Sequence, residues 1–241
     1  DGIASLKKAV IRYTEENYNR LAATENMIVT NGAKQSLFNI FYSILNPQDE
    51  VIVIAPYWVS YPEIIKMCYG VPVIVTPEDG TFTPKFAEIE RAVTSYTRAI
   101  IINSPNNPSG AIYPQELVSK IVDFCERKGI YLICDDIYHK LTFDRNMAVP
   151  AYSFTNKDVE GSHVIVVNGV AKLYGMTGFR IGWVVGPREL VGDHLAVVVV
   201  GARLAAEGDI VRKAMQVLDV TTQATGASEC SLWLSTSSGL V

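Results

Sequence analysis

The chain has 241 residues, of which 49% are hydrophobic and 19% charged. That balance can bury one large core or two small ones and excludes a disordered chain. Net charge is -4 and no run of Lys or Arg forms a basic face, so nucleic-acid and anionic-membrane binding have no electrostatic footprint. Cys68, Cys125, Cys134 and Cys230 show no CxxC or paired spacing, which suits a reduced, cytoplasmic setting. His139, His163 and His194 fall in no ligand spacing, so no metal site is expected.

The chain opens on an amphipathic helical pattern, with Ile3, Leu6, Val10, Ile11 and Tyr13 set among Lys7, Lys8, Arg12 and Glu15. No signal peptide is expected. Short apolar runs then alternate with helix-period segments. The predicted strands are Met27–Thr30, Val51–Ile54, Val71–Val75, Arg98–Ile102, Ile130–Cys134, Val164–Val167 and Arg180–Val185. The predicted helices between them are Ala33–Leu45, Ser60–Met67, Pro84–Val93 and Pro114–Lys128. The last opens on a proline and stops at Gly129, the usual asymmetry of a helix. The apolar stretch Leu195–Val200 is too short for a membrane span, which takes ~20 residues.

Continuous rather than alternating apolar strands, separated by helices, predict a three-layer α/β sandwich around a mostly parallel sheet. Ligands of such sheets gather at the carboxyl ends of the strands. Four segments fall there. Thr30-Asn31-Gly32-Ala33-Lys34-Gln35 starts a helix with a glycine, leaving free N–H groups for a phosphate. An ordinary α/β turn would also carry a glycine. Ser104-Pro105-Asn106-Asn107-Pro108-Ser109-Gly110 is a rigid turn, and the Asn107–Pro108 bond is expected to be cis. Asp135 ends an apolar run where a carboxylate is costly to bury without a cation, and Tyr138 follows three positions later. Asp136 could instead serve as a helix cap.

The fourth segment centres on Lys172, after the run Val164–Val167. An amine held at a strand end, partly out of water, would be available as a nucleophile, as Schiff-base chemistry needs. A surface lysine is the plain alternative. Arg180 lies between Gly178 and Gly182, opens the next predicted strand, and suits bidentate phosphate binding.

Taken together, N-G-x-K-Q, P-Y-W-x-S-Y-P (56–62), S-P-N-N-P-S-G, D-x-I-Y, N-G-x-A-K and M-T-G-F-R-I-G run from Met27 to Gly186. Their order and spacing resemble class I/II aminotransferases, pyridoxal 5'-phosphate enzymes of the aspartate aminotransferase fold. The bacterial aspartate and aspartate/prephenate subgroup is the most similar in pattern.

The resemblance implies that Lys172 carries the cofactor as a Schiff base, Asp135 pairs with its ring nitrogen, and Tyr138 and Asn107 bond its phenolic oxygen. It implies that Trp58 stacks on the ring, and that Arg180 with the backbone of Gly32, Ala33 and Lys34 holds the phosphate. Lys34, Trp58 and Asn107 would also meet the substrate, Lys34 at its distal carboxylate. The implied reaction moves an amino group from an L-amino acid, aspartate or another dicarboxylate, to a 2-oxo acid such as 2-oxoglutarate, in a homodimer.

This chain departs from many relatives in having Gly169 and Ala171 where serines often stand. By this resemblance, residues 1–190 would make up most of the cofactor-binding large domain. Residues 191–241 match poorly, although Lys213–Gln216 through Thr222 resembles the start of an interdomain helix. The resemblance also implies an absent small C-terminal domain with its α-carboxylate arginine, and an absent N-terminal glycine and tyrosine. A different reaction on the same cofactor (a β-lyase or synthase) and cofactor binding without turnover remain alternatives.

Overall fold

A computed structural model describes residues 2–143, 147–194, 235–236 and 239–240; the expectations for the interdomain helix region lie outside these residues. Helix α1 spans Ala4–Tyr18, α2 Ala33–Ile44, α3 Ser60–Met67, α4 Phe86–Ala92 and α5 Gln115–Lys128. The strands are β1 Met27–Thr30, β2 Glu50–Ile54, β3 Val71–Val75, β4 Thr97–Ile102, β5 Tyr131–Asp135, β6 Val164–Gly169 and β7 Gly182–Val185. Pro114 is the cap before α5, not its first residue, and Gly129 closes that helix in the left-handed region at φ 68°.

These strands form one sheet in the order β1-β7-β6-β5-β4-β2-β3. Every pair from β6 through β3 is parallel, while β7 runs antiparallel to both β6 and β1. Because β7 is reversed between two strands of one direction, its first residue lies beside the last residues of its neighbours. Gly182 is in register with Thr30 on one side and Gly169 on the other. The end of β1, the end of β6 and the start of β7 therefore meet at one edge, with the carboxyl ends of β4 and β5.

Successive strand residues face opposite ways, and the core divides accordingly. Ile52, Ile100, Leu132 and Val166 pack with Leu117, Ile121 and Val122 of α5 and Val10 of α1. Val53, Ile101, Ile133 and Val167 pack with Leu37, Ile40 and Phe41 of α2 and Ile65 of α3. The sheet is thus covered on both faces, which is why its central strands are apolar at nearly every position. Each fully buried Ile or Phe contributes roughly 1.5–3 kcal/mol, so truncating Ile133 to Ala would cost about 2–5 kcal/mol. Among the described residues, no helix is long and apolar enough to cross a membrane.

Candidate active site

A cavity of about 180 Å³ opens at this sheet end. Residues from five separated segments line it: Ala33 and Lys34 of α2, Trp58 and Tyr61 around the start of α3, and Asn103 and Asn107 after β4. Asp135, Ile137 and Tyr138 follow at the end of β5, and Ala171, Lys172 and Arg180 come from the β6–β7 connection. Thus every residue singled out from the sequence lines one cavity except Gly32, which sits directly behind Arg180.

Gly32 caps α2 at φ 83°, a conformation that L side chains rarely adopt. A Cβ there would lie 2.5 Å from Arg180 Nη2. Gly182 is constrained by space alone, since a Cβ would lie 2.5 Å from the Ala33 nitrogen. The two glycines let the arginine and the first turn of α2 converge. The first N–H groups of a helix have no intrahelical acceptor, so this corner concentrates donors and positive charge suited to an anion.

Arg180 itself does not begin a strand. It follows the short 3-10 turn Thr177–Phe179, with φ 53°, and β7 starts two residues later. The apolar pattern ran through Ile181, but the left-handed arginine ends the turn and cannot join the ladder. Lys172 also departs from expectation. It is exposed, because the β6–β7 connection leaves the sheet after Gly169 and carries it to the cavity mouth. Its Nζ lies over the Tyr138 ring, 5.7 Å from the centroid. On the other side, Lys34 Nζ lies 4.9 Å from the Trp58 ring centroid. Such contacts orient a cation over an aromatic face.

Asp135 is buried. Its Oδ2 accepts a 2.6 Å hydrogen bond from the Tyr61 hydroxyl, and its Oδ1 faces the Ile137 N–H at 3.4 Å. Burial pushes the carboxyl up to about 6, while these two donors favour the charged form. A carboxylate raised by desolvation beside a cavity is set up to receive a cationic ligand. Asn103 fixes its backbone: Nδ2 donates to the Asp135 carbonyl at 2.7 Å, while Oδ1 accepts from the Asn107 N–H at 2.7 Å. Asn106 ties the same loop down, donating to Pro56 O at 3.0 Å and accepting from Ser109. The Asn107–Pro108 bond is cis, as expected, and so are Ser104–Pro105 and Ala55–Pro56.

Sequence reasoning missed Tyr61, Asn103 and Ile137. Tyr61 lay inside the quoted Pro56–Pro62 motif, three positions after Trp58, where a helix would place both on one side. The two rings do meet edge to face at 5.4 Å. Asn103 had only its place at a strand end as a signal.

The family model for aminotransferase class I and II matches residues 1–218. Among curated relatives, a probable aspartate/prephenate aminotransferase of Thermus aquaticus is 42% identical over 192 residues, covering 79% of this chain and 48% of that protein. An asparagine–oxo-acid transaminase of Streptococcus mutans is 37% identical, covering 82% and 50%. A solved aspartate aminotransferase of Thermus thermophilus with maleate superposes with TM-score 0.77 at 36% identity, covering 92% of this chain and 56% of that one. The chain spans about half the length of the curated relatives it matches. With the motifs, the sheet and the matched residues in agreement, this chain belongs to the class I and II aminotransferases.

Proposed function

We propose that this chain is the cofactor-bearing part of a pyridoxal-phosphate-dependent aminotransferase, with residues 1–190 as its large domain. The observation that carries the reading is that Lys172 and Asp135 line one cavity. The donor set fits the cofactor on two independent counts. Asp135 is a buried carboxylate with no cation bonded to it among the described residues, and the Gly32–Arg180 approach leaves an anion corner that a Cβ would fill.

When bound, pyridoxal phosphate supplies an electron sink for the carbanion at the substrate Cα. Asp135 would keep the proton on the ring nitrogen, an arrangement that a charge pair in a desolvated site would stabilise. Lys172 would hold the cofactor through its Nζ and, as a neutral amine, would move a proton at the substrate Cα. Tyr138 and Asn107 would hold the cofactor's phenolic oxygen, and Trp58 would restrict ring tilt by stacking. Arg180, with the N–H groups of Ala33 and Lys34 beside Gly32, holds the phosphate. Lys34 takes the distal carboxylate of a dicarboxylic substrate.

The donor on this reading is aspartate or a related dicarboxylate, the acceptor a 2-oxo acid such as 2-oxoglutarate, and the setting a cytoplasmic homodimer. The names of the relatives support the substrate class. Incubating the full-length protein with aspartate, 2-oxoglutarate and pyridoxal phosphate should yield oxaloacetate. Lys34→Ala should raise KM for aspartate more than for a monocarboxylic donor. Release of ammonia without oxaloacetate would point to a lyase and sink the transfer reading.

A further inference from the structure

His139 follows Tyr138 but lies on the opposite side of the Asp135–Tyr138 turn, in a buried polar cluster. It is 7% exposed. Its Nδ1 is 2.8 Å from the Asp136 carbonyl oxygen, and its Nε2 is 2.9 Å from the Tyr13 hydroxyl. A carbonyl can only accept, so Nδ1 carries the hydrogen and Nε2 is left to accept from Tyr13. Burial, with the nearby Lys140 charge, pushes the imidazole down to about 4, so it is neutral at working pH. The ring also stacks on Tyr18, with centroids 5.6 Å apart and planes 23° apart.

Asn168, of the N-G-x-A-K motif, completes the cluster. Its Nδ2 lies 3.2 Å from His139 Nδ1, but both atoms are donors in this tautomer, so no hydrogen bond forms there. Asn168 donates instead to the Tyr18 hydroxyl at 2.9 Å, and its Oδ1 accepts from the Gly169 N–H at 2.7 Å. Tyr18 also favours the charged form of the Asp136 carboxyl beside it. Helix α1 contributes no side chain to the cavity. Its Tyr13 and Tyr18 nonetheless join the turn carrying Asp135 and Tyr138 to the strand end four residues before Lys172.

We propose that His139 is a positioning residue for amino transfer. As a neutral Nδ1–H imidazole, it fastens the Asp135–Tyr138 turn to α1 and, through Tyr18 and Asn168, to the end of β6. The proposal rests on the functional reading above for what is positioned, but not for the clamp itself. Two of the groups it holds in register, Asp135 and Lys172, must act on one ligand, and a displacement of about 1 Å can cost on the order of 100-fold in rate. A buried histidine with only a packing role would stabilise the fold without affecting that register.

The test uses the full-length protein loaded with pyridoxal phosphate. His139→Leu removes both hydrogen bonds, His139→Asn keeps a donor near the Nδ1 position, and Tyr13→Phe removes only the partner of Nε2. We expect His139→Leu to lower kcat by about 10- to 100-fold with a smaller change in KM. It should also move the pH midpoint of the bound cofactor's visible absorbance. His139→Asn should recover most of the rate and the wild-type midpoint, and Tyr13→Phe should shift both readouts in the direction of Leu, by less. A folded His139→Leu protein with lowered Tm but wild-type kcat and midpoint would overturn the proposal. Should that variant fail to fold, wild-type values for Tyr13→Phe would overturn it. If the wild-type protein takes up no cofactor, the functional reading fails by itself. The ¹⁵N resonances of His139 in cofactor-free protein still decide the clamp: Nδ1–H supports it and Nε2–H refutes it.

Discussion

The Tyr61 hydroxyl donates to Asp135 Oδ2 at 2.6 Å, and among the described residues it is the sole side-chain donor to that carboxylate. The helix that carries Trp58 at its approach thus also sets the charge of the acid at the end of β5. Burial raises Asp135 to about 6, and Tyr61 opposes that rise by stabilising the ionised form.

Tyr61→Phe should therefore raise the Asp135 midpoint further. A hydrogen bond to a charged group is worth about 1.5–3 kcal/mol, or about one to two pH units. In the cofactor-free protein, carboxyl ¹³C titration should show the rise directly. Affinity for pyridoxal phosphate should fall more at pH 6 than at pH 8, because more of the carboxyl must give up its proton. Equal losses at both pH values would mean that Tyr61 acts by packing.

Gly32→Ala should weaken the anion corner. The new methyl would meet Arg180 Nη2 at 2.5 Å and sit on a backbone at φ 83°, a conformation costing about 1–3 kcal/mol for a non-glycine residue. Equilibrium dialysis should show binding of pyridoxal phosphate reduced about tenfold or more, since 1.4 kcal/mol is a factor of ten. Binding of pyridoxal, which lacks the phosphate, should change less. A parallel loss for both ligands would place the damage elsewhere.

Asp136→Asn should stabilise the cofactor-free protein at neutral and alkaline pH. Burial, with Asp135 as neighbour, raises Asp136 to about 7, against the lowering influence of Tyr18, and its Oδ2 has no hydrogen-bond partner. The groups that act on it are Tyr18 and Tyr13 of α1, His139, Asp135, Cys134 and Tyr152, none a cation. A carboxyl whose folded value exceeds its unfolded value near 4 contributes most when protonated, below about pH 4. That contribution fades as pH rises through about 7. The Tm of Asp136→Asn should match wild type near pH 4 and exceed it near pH 8, by roughly 2–4 °C for each kcal/mol recovered. A constant Tm difference across that range would show that Asp136 does not titrate there.

All seven strands of the main sheet could be read from runs of Val and Ile, because a sheet covered on both faces needs apolar residues at nearly every position. The reversal of β7 could not be read that way. Trp183 and Val184 face opposite core layers, as they would in either direction, so burial carries no trace of polarity. Lys172, Asp135 and Arg180 were legible as residues through glycine, proline and charge placed at strand ends. Their environments were less legible. The exposure of Lys172 depends on where the β6–β7 connection leaves the sheet, and Tyr61 reaches Asp135 from 74 positions away. Hydrogen bonds between segments so distant leave no local pattern.

The most direct test is to find which amine the cofactor attaches to. Protein loaded with pyridoxal phosphate and reduced with borohydride should yield a phosphopyridoxyl mass on the peptide containing Lys172, and Lys172→Ala should yield none. A label carried by Lys34 or any other lysine, with Lys172 unmodified, would contradict the site described above.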